Sequence, residues 1–260
     1  MKRLRHGLAA VLVAAAVVVS AGCATVPADG AAQPARATVP QDPWEAFNRK
    51  VFAFNEAIDE VVLKPVAEAY RAAVPALVRQ GVSNFFGNIG DVWSSANQFL
   101  QGKVQHGLEM GMRVAANTVF GIGGLLDPAT EFGLVKRPED FGQTLAVWGV
   151  GNGPYLVLPL LGPSTLRDTA VLPLDRYATS QTRWIGDTGD YWLLSLQVVQ
   201  LRTELLEATQ LVDQASLDKY SFIRDAWLAR RLDQIYDGSP PLETFDDDEP
   251  KKPATPPPSK

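Results

Sequence analysis

The chain has 260 residues, a near-balanced composition of 46% hydrophobic and 20% charged residues, a formal net charge of −5 and one cysteine. That length fits one large or two small domains. A single cysteine excludes an internal disulfide, and the acidic balance argues against nucleic acid as a partner.

The first 22 residues read as an export signal. Lys2, Arg3 and Arg5 form a basic start, and Leu8 to Val19 is an unbroken apolar run. The run is too short to span a bilayer as a mature helix but suits a signal's apolar region. It ends in Ser20-Ala21-Gly22-Cys23, which resembles the lipobox of bacterial lipoproteins, with serine where leucine is usual. Cys23 is therefore expected to carry acyl chains. Loss of the signal removes three of the 24 Lys+Arg and none of the 29 Asp+Glu, so the mature chain carries −8. Membrane attachment is then apolar, through the acyl chains, rather than electrostatic.

Residues 23–41 are rich in Ala, Pro and Thr and read as a flexible tether. A folded domain is expected over 42–236. Asp42-Pro43 predicts a helix N-cap with proline in the first turn. Trp44, Phe47, Val51, Phe54, Ile58 and Val61 then recur at helical spacing. Core packing is the expectation for this stripe, with lipid contact as the alternative. Pro65 is expected to end or kink the helix, with a second short helix from Val66 to Ala73.

Pro75 predicts the start of another helix, broken at Gly87-Asn88-Ile89-Gly90, with Asp91 capping the next. After Gly102, Val104 to Val119 keeps helical register. Gly107 and Gly111 are spaced for close approach of a neighbouring backbone. Phe141 to Val150 reads as a helix begun by Pro138-Glu139-Asp140. A strand at Tyr155 to Leu161 is not expected, because Pro159 interrupts it. Thr165 and Asp168 have the spacing of a capping box. Gly186 to Val212 and Ser216 to Tyr236 are the last expected helices. The acidic, proline-rich residues 237–260 cannot build a core and read as disordered. With period-two alternation nearly absent, the expected fold is all-α.

The stretch from Phe120 to Asp168 is unusual. It holds nine glycines and is nevertheless strongly apolar. Ordinary loops are polar because their backbone must meet water. An apolar, glycine-broken segment is expected to pack inside protein or to meet a lipid phase.

Catalytic patterns are sparse. His106 is the one histidine after the signal and is expected at a solvated surface. A zinc site would need more ligands. No G-x-S-x-G occurs. Ser216-Leu217-Asp218-Lys219 fits S-x-x-K without its companion strings, and Ser216 is better explained as a helix cap. No nucleotide fingerprint is present. Neither metal nor other cofactor is expected, and no catalytic residue is assigned.

Six motifs together resemble the MlaA/VacJ family of outer-membrane lipoproteins. They are Asp42-Pro43-Trp44-Glu45-Ala46-Phe47-Asn48-Arg49, Ser83-Asn84-Phe85-Phe86-Gly87-Asn88 and Asn117-Thr118-Val119-Phe120-Gly121-Ile122-Gly123-Gly124. Further on are Phe141-Gly142-Gln143-Thr144-Leu145, Gly149-Val150-Gly151-Asn152-Gly153-Pro154-Tyr155, and Leu158-Pro159 followed by Ser164-Thr165-Leu166-Arg167-Asp168. The resemblance implies a single ring-shaped domain of amphipathic helices with a central polar channel, lying in the inner leaflet of the outer membrane. It implies phospholipids, a trimeric porin and a periplasmic lipid carrier as partners. It also implies retrograde phospholipid transport that maintains outer-membrane lipid asymmetry, and no enzyme activity. By region, the channel or gate is placed at Phe120, Gly121, Gly123, Gly124, Leu125, Leu126 and Phe132. The three glycines supply permissive backbone there, with plain helix termination as their other reading. The alternative function is a structural lipoprotein that scaffolds porins or envelope contacts without a channel.

Overall fold

In a computed structural model of the chain, residues 41–180 and 190–241 are described, so the lipidation candidate Cys23 and the acidic tail lie outside them. Ten helices and one hairpin follow in order among the described residues. Helix α1 spans Glu45–Ile58 and passes through a π-helical turn, Asp59–Leu63, into α2, Lys64–Ala73. Pro65 therefore does not end the helix. It sits in the first turn of α2, where its missing N–H costs little.

Asp42 is not the N-cap of α1; Trp44 occupies that position, without a side-chain cap bond. The Asp42 carboxylate is fully buried. It accepts from Asn48 Nδ2 at 2.8 Å, from the Tyr220 hydroxyl at 2.5 Å and from Arg224 at 3.4 Å. Long-range donors outcompete the local cap here.

Most of the apolar stripe of α1 lies outside the core, although Val51 packs against it and Ile58 is half-buried. Trp44, Phe47, Phe54 and Val61 are exposed, and the buried residue of this helix is Asn48. Periodicity identifies an apolar face but not the medium it meets. Asn48 and Asn55, seven residues apart, face a β-hairpin and bind its backbone as a strand would. Asn48 donates to Tyr155 O at 3.1 Å and accepts from Val157 N at 2.9 Å. Asn55 donates to Leu158 O at 2.9 Å and accepts from Leu160 N at 2.8 Å.

That hairpin corrects the expectation of no strand at Tyr155 to Leu161. β1, Tyr155–Leu158, pairs antiparallel with β2, Gly162–Thr165. Pro159 falls in the turn rather than in either strand, which removes the objection to a strand. Tyr155 N donates to Gln41 O at 2.8 Å, bringing the entry to the domain alongside. Tyr155, Val157 and Tyr220 form a small core joined by Phe52 and Trp227. Edge-to-face contacts link Tyr155 to Tyr220 and to Trp227.

α3, Ala76–Leu100, is continuous through Gly87 to Gly90, and Asp91 does not cap a new helix. The glycines weaken a helix by about 1 kcal/mol each relative to alanine. Packing along α4, Val104–Val119, offsets this. At Gly107 the close approach is made by a side chain of α3 and not by its backbone. A Cβ there would stand 2.9 Å from the Phe99 ring, and Ser95 Oγ donates to Gly107 O at 2.8 Å.

The short helices α5, Pro128–Glu131, and α6, Phe141–Val147, are capped by Asp127 and Asp140. α6 ends three residues before its expected limit. Thr165 caps α7, Leu166–Ala178, by accepting from Asp168 N at 3.2 Å. The expected Gly186 to Val212 helix is divided into α8, Asp190–Glu204, and α9, Leu206–Ala215; its first residues lie outside the described ones. Arg202, near the break, forms a two-bond ion pair with Asp59 at 2.6 and 2.7 Å. α10, Lys219–Ile235, is capped by Asp218 and not by Ser216. Ser216 Oγ instead donates to Val212 O at 2.7 Å at the end of α9.

Burial is reversed relative to an ordinary water-soluble domain. Among the described residues 21 polar or charged residues are buried against 10 hydrophobic ones. Large exposed hydrophobics occur on nearly every helix. No helix among the described residues is long and apolar enough to cross a membrane.

Candidate functional site at the glycine loop

The loop from Phe120 to Asp127 closes the α3–α4 hairpin at the end away from the α3–α4 turn. Its glycines end α4. Gly123 N donates to Thr118 O at 3.0 Å and Gly124 N to Asn117 O at 2.9 Å, satisfying the last helical carbonyls. Both have positive φ, 69° and 92°. Gly124 also lies flat on α3, where a Cβ would come within 2.7 Å of Asn88 Nδ2. Gly121 is enclosed by backbone: a Cβ would meet Asn117 O at 2.4 Å and Leu126 O at 2.5 Å. Gly123 faces open space. The termination reading therefore holds, and two of the three glycines also permit a close approach.

The loop's side chains point outward. Phe120 and Ile122 are 68% and 69% exposed, and Leu125, Leu126 and Phe132 are exposed too. Phe120 and Phe132 meet edge to face, with centroids 6.3 Å apart. Ile122 has φ 54°, a rarely tolerated conformation for a β-branched residue. Strain of this kind is of order 1–3 kcal/mol and persists only where the surroundings impose it. The seven residues assigned to a gate are neighbours in sequence, and all but Gly121 and Gly124 are exposed.

Beneath them lies a polar network. The Arg113 guanidinium is buried and binds both Asp127 oxygens at 2.9 Å, Thr130 Oγ1 at 3.2 Å and the carbonyl of Leu134. Asn117 donates to Asp127 at 2.9 Å and accepts from Ala129 N at 3.0 Å. On the other flank Asn84 Nδ2 donates to Leu125 O at 3.1 Å, and Asn88 Nδ2 to Thr118 Oγ1 at 3.1 Å. Burial pushes the Asp127 carboxyl up, but bonds from Thr130, Asn117 and Arg113 outweigh it and hold the group below the usual range. Asp91 lies on α3 opposite Arg113 and shows the reverse. Burial dominates, and it stays above the usual range although Lys136 and Arg113 oppose the shift.

Against Leu125 opens a groove of about 260 Å³ lined by Val82, Phe85 and Phe86 of α3 and Trp192, Leu193 and Leu196 of α8. Its wall exposes no polar surface. Such a surface favours hydrocarbon over water.

The catalytic candidates are not brought together. His106 is half-buried in the first turn of α4, less solvated than expected. Lys219 pairs with Asp213 at 2.7 Å and with Glu56, while Ser216 bonds to its own helix. Sequence reasoning assigned no role to Arg113. Asn84, Asn88 and Asn117 stood inside resemblance motifs, and the i, i+4 spacing of Asn84 and Asn88 on α3 was the available signal.

The model of the MlaA lipoprotein family matches residues 40–234, three quarters of the chain. The chain belongs to the MlaA lipoprotein family. Relatives include the intermembrane phospholipid transport system lipoprotein MlaA of Escherichia coli K12, 36% identical over 198 residues, covering 73% of this chain and 76% of the relative. The lipoprotein of the same name in Haemophilus influenzae is 30% identical over 201 residues, covering 76% and 80%. An uncharacterized protein of Rickettsia bellii is 37% identical over 186 residues, covering 71% and 73%. A solved structure described as "Structural basis for maintenance of bacterial outer membrane lipid asymmetry" matches with TM-score 0.62 and 33% identity, covering 76% of this chain and 99% of the other. The all-helical expectation holds for the family fold, apart from the small hairpin.

Proposed function

We propose that this chain is an outer-membrane lipoprotein, anchored by acyl chains on Cys23 at the periplasmic face, that takes mislocalised phospholipid from the outer leaflet and passes it toward the periplasm. Its domain, over 42–236, would form a ring around a polar channel, and the segment Phe120 to Phe132 would border or gate it. A trimeric porin and a periplasmic lipid carrier are the proposed partners. Direction would come from the carrier, since the chain is read as a conduit and not an enzyme.

The observation that carries the reading is the reversed burial. Apolar side chains on α1 and the glycine loop face outward, while Arg113, Asp127, Asn117 and Asn88 are turned inward. Burying roughly 25 cal/mol per Å² of apolar surface is favourable in lipid as in a protein core. A bilayer leaflet is the medium that satisfies both halves. The relatives named for intermembrane phospholipid transport support it further.

The test is deletion of the gene, followed by measurement of how much surface phospholipid an externally added phospholipase can reach. The reading expects a several-fold rise, reversed by the wild-type gene and not by a Cys23→Ala variant. An unchanged level after deletion contradicts it.

A further inference from the structure

Lys136 and Asp91 form an ion pair at 3.2 Å with one-sided burial: the lysine side chain is 43% exposed and the aspartate side chain 3%. A buried carboxylate has lost its hydration, so it needs a partner, whereas an ammonium at the surface keeps access to water and to other ligands. Here the cation stands at the surface and its counter-charge lies beneath. Gly87 makes this possible, since a Cβ there would come within 2.7 Å of the Lys136 ammonium. The ammonium lies across α3 where the helix has no side chain.

Three charged groups face Asp91 from other segments: Lys136, Arg113 of α4 and Asp127 of the loop. Arg113 approaches through Nε at 3.8 Å, but its terminal nitrogens are committed to Asp127, Thr130 and Leu134. It is also buried and unreachable. Lys136 is the reachable cation, and Asp91 is its one ion-pair partner among the described residues. Asp91 Oδ2 and Asn88 Oδ1, one turn apart on α3, are buried without hydrogen-bond partners in the described residues. The pair is thus incompletely satisfied at the aspartate oxygen that faces Arg113.

We propose that the Lys136 ammonium recognises the phosphodiester of a phospholipid headgroup, with Asp91 holding it in place until the lipid arrives. The proposal rests on the phospholipid reading above. The phosphodiester carries a permanent negative charge and oxygen acceptors, and charge-assisted bonds to an ammonium are strong ones. When the ammonium turns to the phosphate, Asp91 loses its nearest cation. Burial already holds its pKa above the usual carboxylate range, and loss of the nearest cation moves it further in the same direction. The site is placed for a lipid. Gly87 follows Phe86, a wall of the apolar groove, about 100° round the same helix. A headgroup at Lys136 and hydrocarbon near the groove would share one stretch of α3.

The test uses the full lipoprotein in detergent micelles, titrated with dihexanoylphosphatidylglycerol, with dihexanoylglycerol, which lacks the phosphate, and with inorganic phosphate. Lys136→Gln is expected to weaken phosphatidylglycerol binding about tenfold, to leave dihexanoylglycerol binding unchanged, and to be rescued by Lys136→Arg. Asp91→Asn frees the ammonium and is expected to tighten phosphatidylglycerol binding. Equal phosphatidylglycerol binding by Lys136→Gln and wild type overturns the site while leaving the phospholipid reading intact. Equal weakening for both lipids overturns it as well. Inorganic phosphate binding as tightly as the lipid would assign the site to free phosphate and overturn the headgroup proposal. Wild-type protein that binds neither lipid sinks the phospholipid reading itself.

Discussion

Gly124 lies against the side chain of Asn88, so close that a Cβ would come within 2.7 Å of the amide nitrogen. The contact fixes the glycine loop on α3, and its φ of 92° adds a second demand for glycine. Gly123 shares the positive φ but faces open space. Gly123→Ala is therefore expected to cost about 1–2 kcal/mol, the left-handed penalty alone. Gly124→Ala should cost more, because the amide of Asn88 must also move. Urea unfolding of both variants checks the order. Combining Gly124→Ala with Asn88→Ala should recover part of the loss, and a strictly additive cycle would remove the contact from the account.

Arg113 joins three segments under the loop, and the acids facing it should respond to pH in opposite senses. Asp127 is held below the usual carboxylate range. The unfolded chain then binds more protons, so its contribution is complete above about pH 4 and is lost as pH falls through the folded value. Asp91 is held above that range by burial. The native state then binds more protons, so this group's contribution declines as pH rises past about 4. Asp127→Asn should flatten the acid limb of a stability-against-pH curve. Asp91→Asn should flatten the decline above it. Denaturant midpoints across pH 2 to 7 separate the two. Replacing Arg113 by methionine should cost about 3–5 kcal/mol, the usual result of removing one partner of a buried pair.

Asn48 and Asn55 serve as the hairpin's third strand. Asn48 is fully buried, and Asn48→Ala would strand the Tyr155 carbonyl, the Val157 N–H and part of Asp42. Each unsatisfied buried group costs about 1–3 kcal/mol. Asn55 is less buried and binds Leu158 O and Leu160 N nearer the turn. Asn48→Ala should therefore lower the denaturation midpoint clearly more than Asn55→Ala.

Helix positions and most termini were legible in the sequence. Val104 to Val119 and the cap at Thr165 follow from local periodicity and capping chemistry, which depend on neighbours a few residues away. Asp42, Asp91 and Ser216 were misread as N-caps because the same side chains serve partners that local sequence does not show. The stripe of α1 was read as core because spacing reports the apolar face and not its surroundings. The loop from Phe120 to Asp127 was legible as a glycine-rich apolar segment. Arg113 was not, since an arginine on a helix gives no sign in sequence of being buried.

The groove beside Leu125 offers a test independent of the glycines. Leu196→Trp should fill it without exposing a polar group. Thermal unfolding should change by no more than the modest cost of overpacking, about 1–3 kcal/mol. Surface phospholipid in cells should rise toward the level of the deletion strain. A stable variant with wild-type surface phospholipid would place lipid passage elsewhere.

The central claim is that the outward face of the glycine loop lies in hydrocarbon. A fluorophore attached at Ile122 or Phe132 of the protein reconstituted in lipid bilayers measures this directly, with Gln105, an exposed position at the opposite end of α4, as reference. The account predicts strong quenching by lipids brominated in their acyl chains at 122 and 132, and quenching by aqueous iodide at 105. Iodide reaching all three positions equally, with no effect of the brominated lipids, would contradict it.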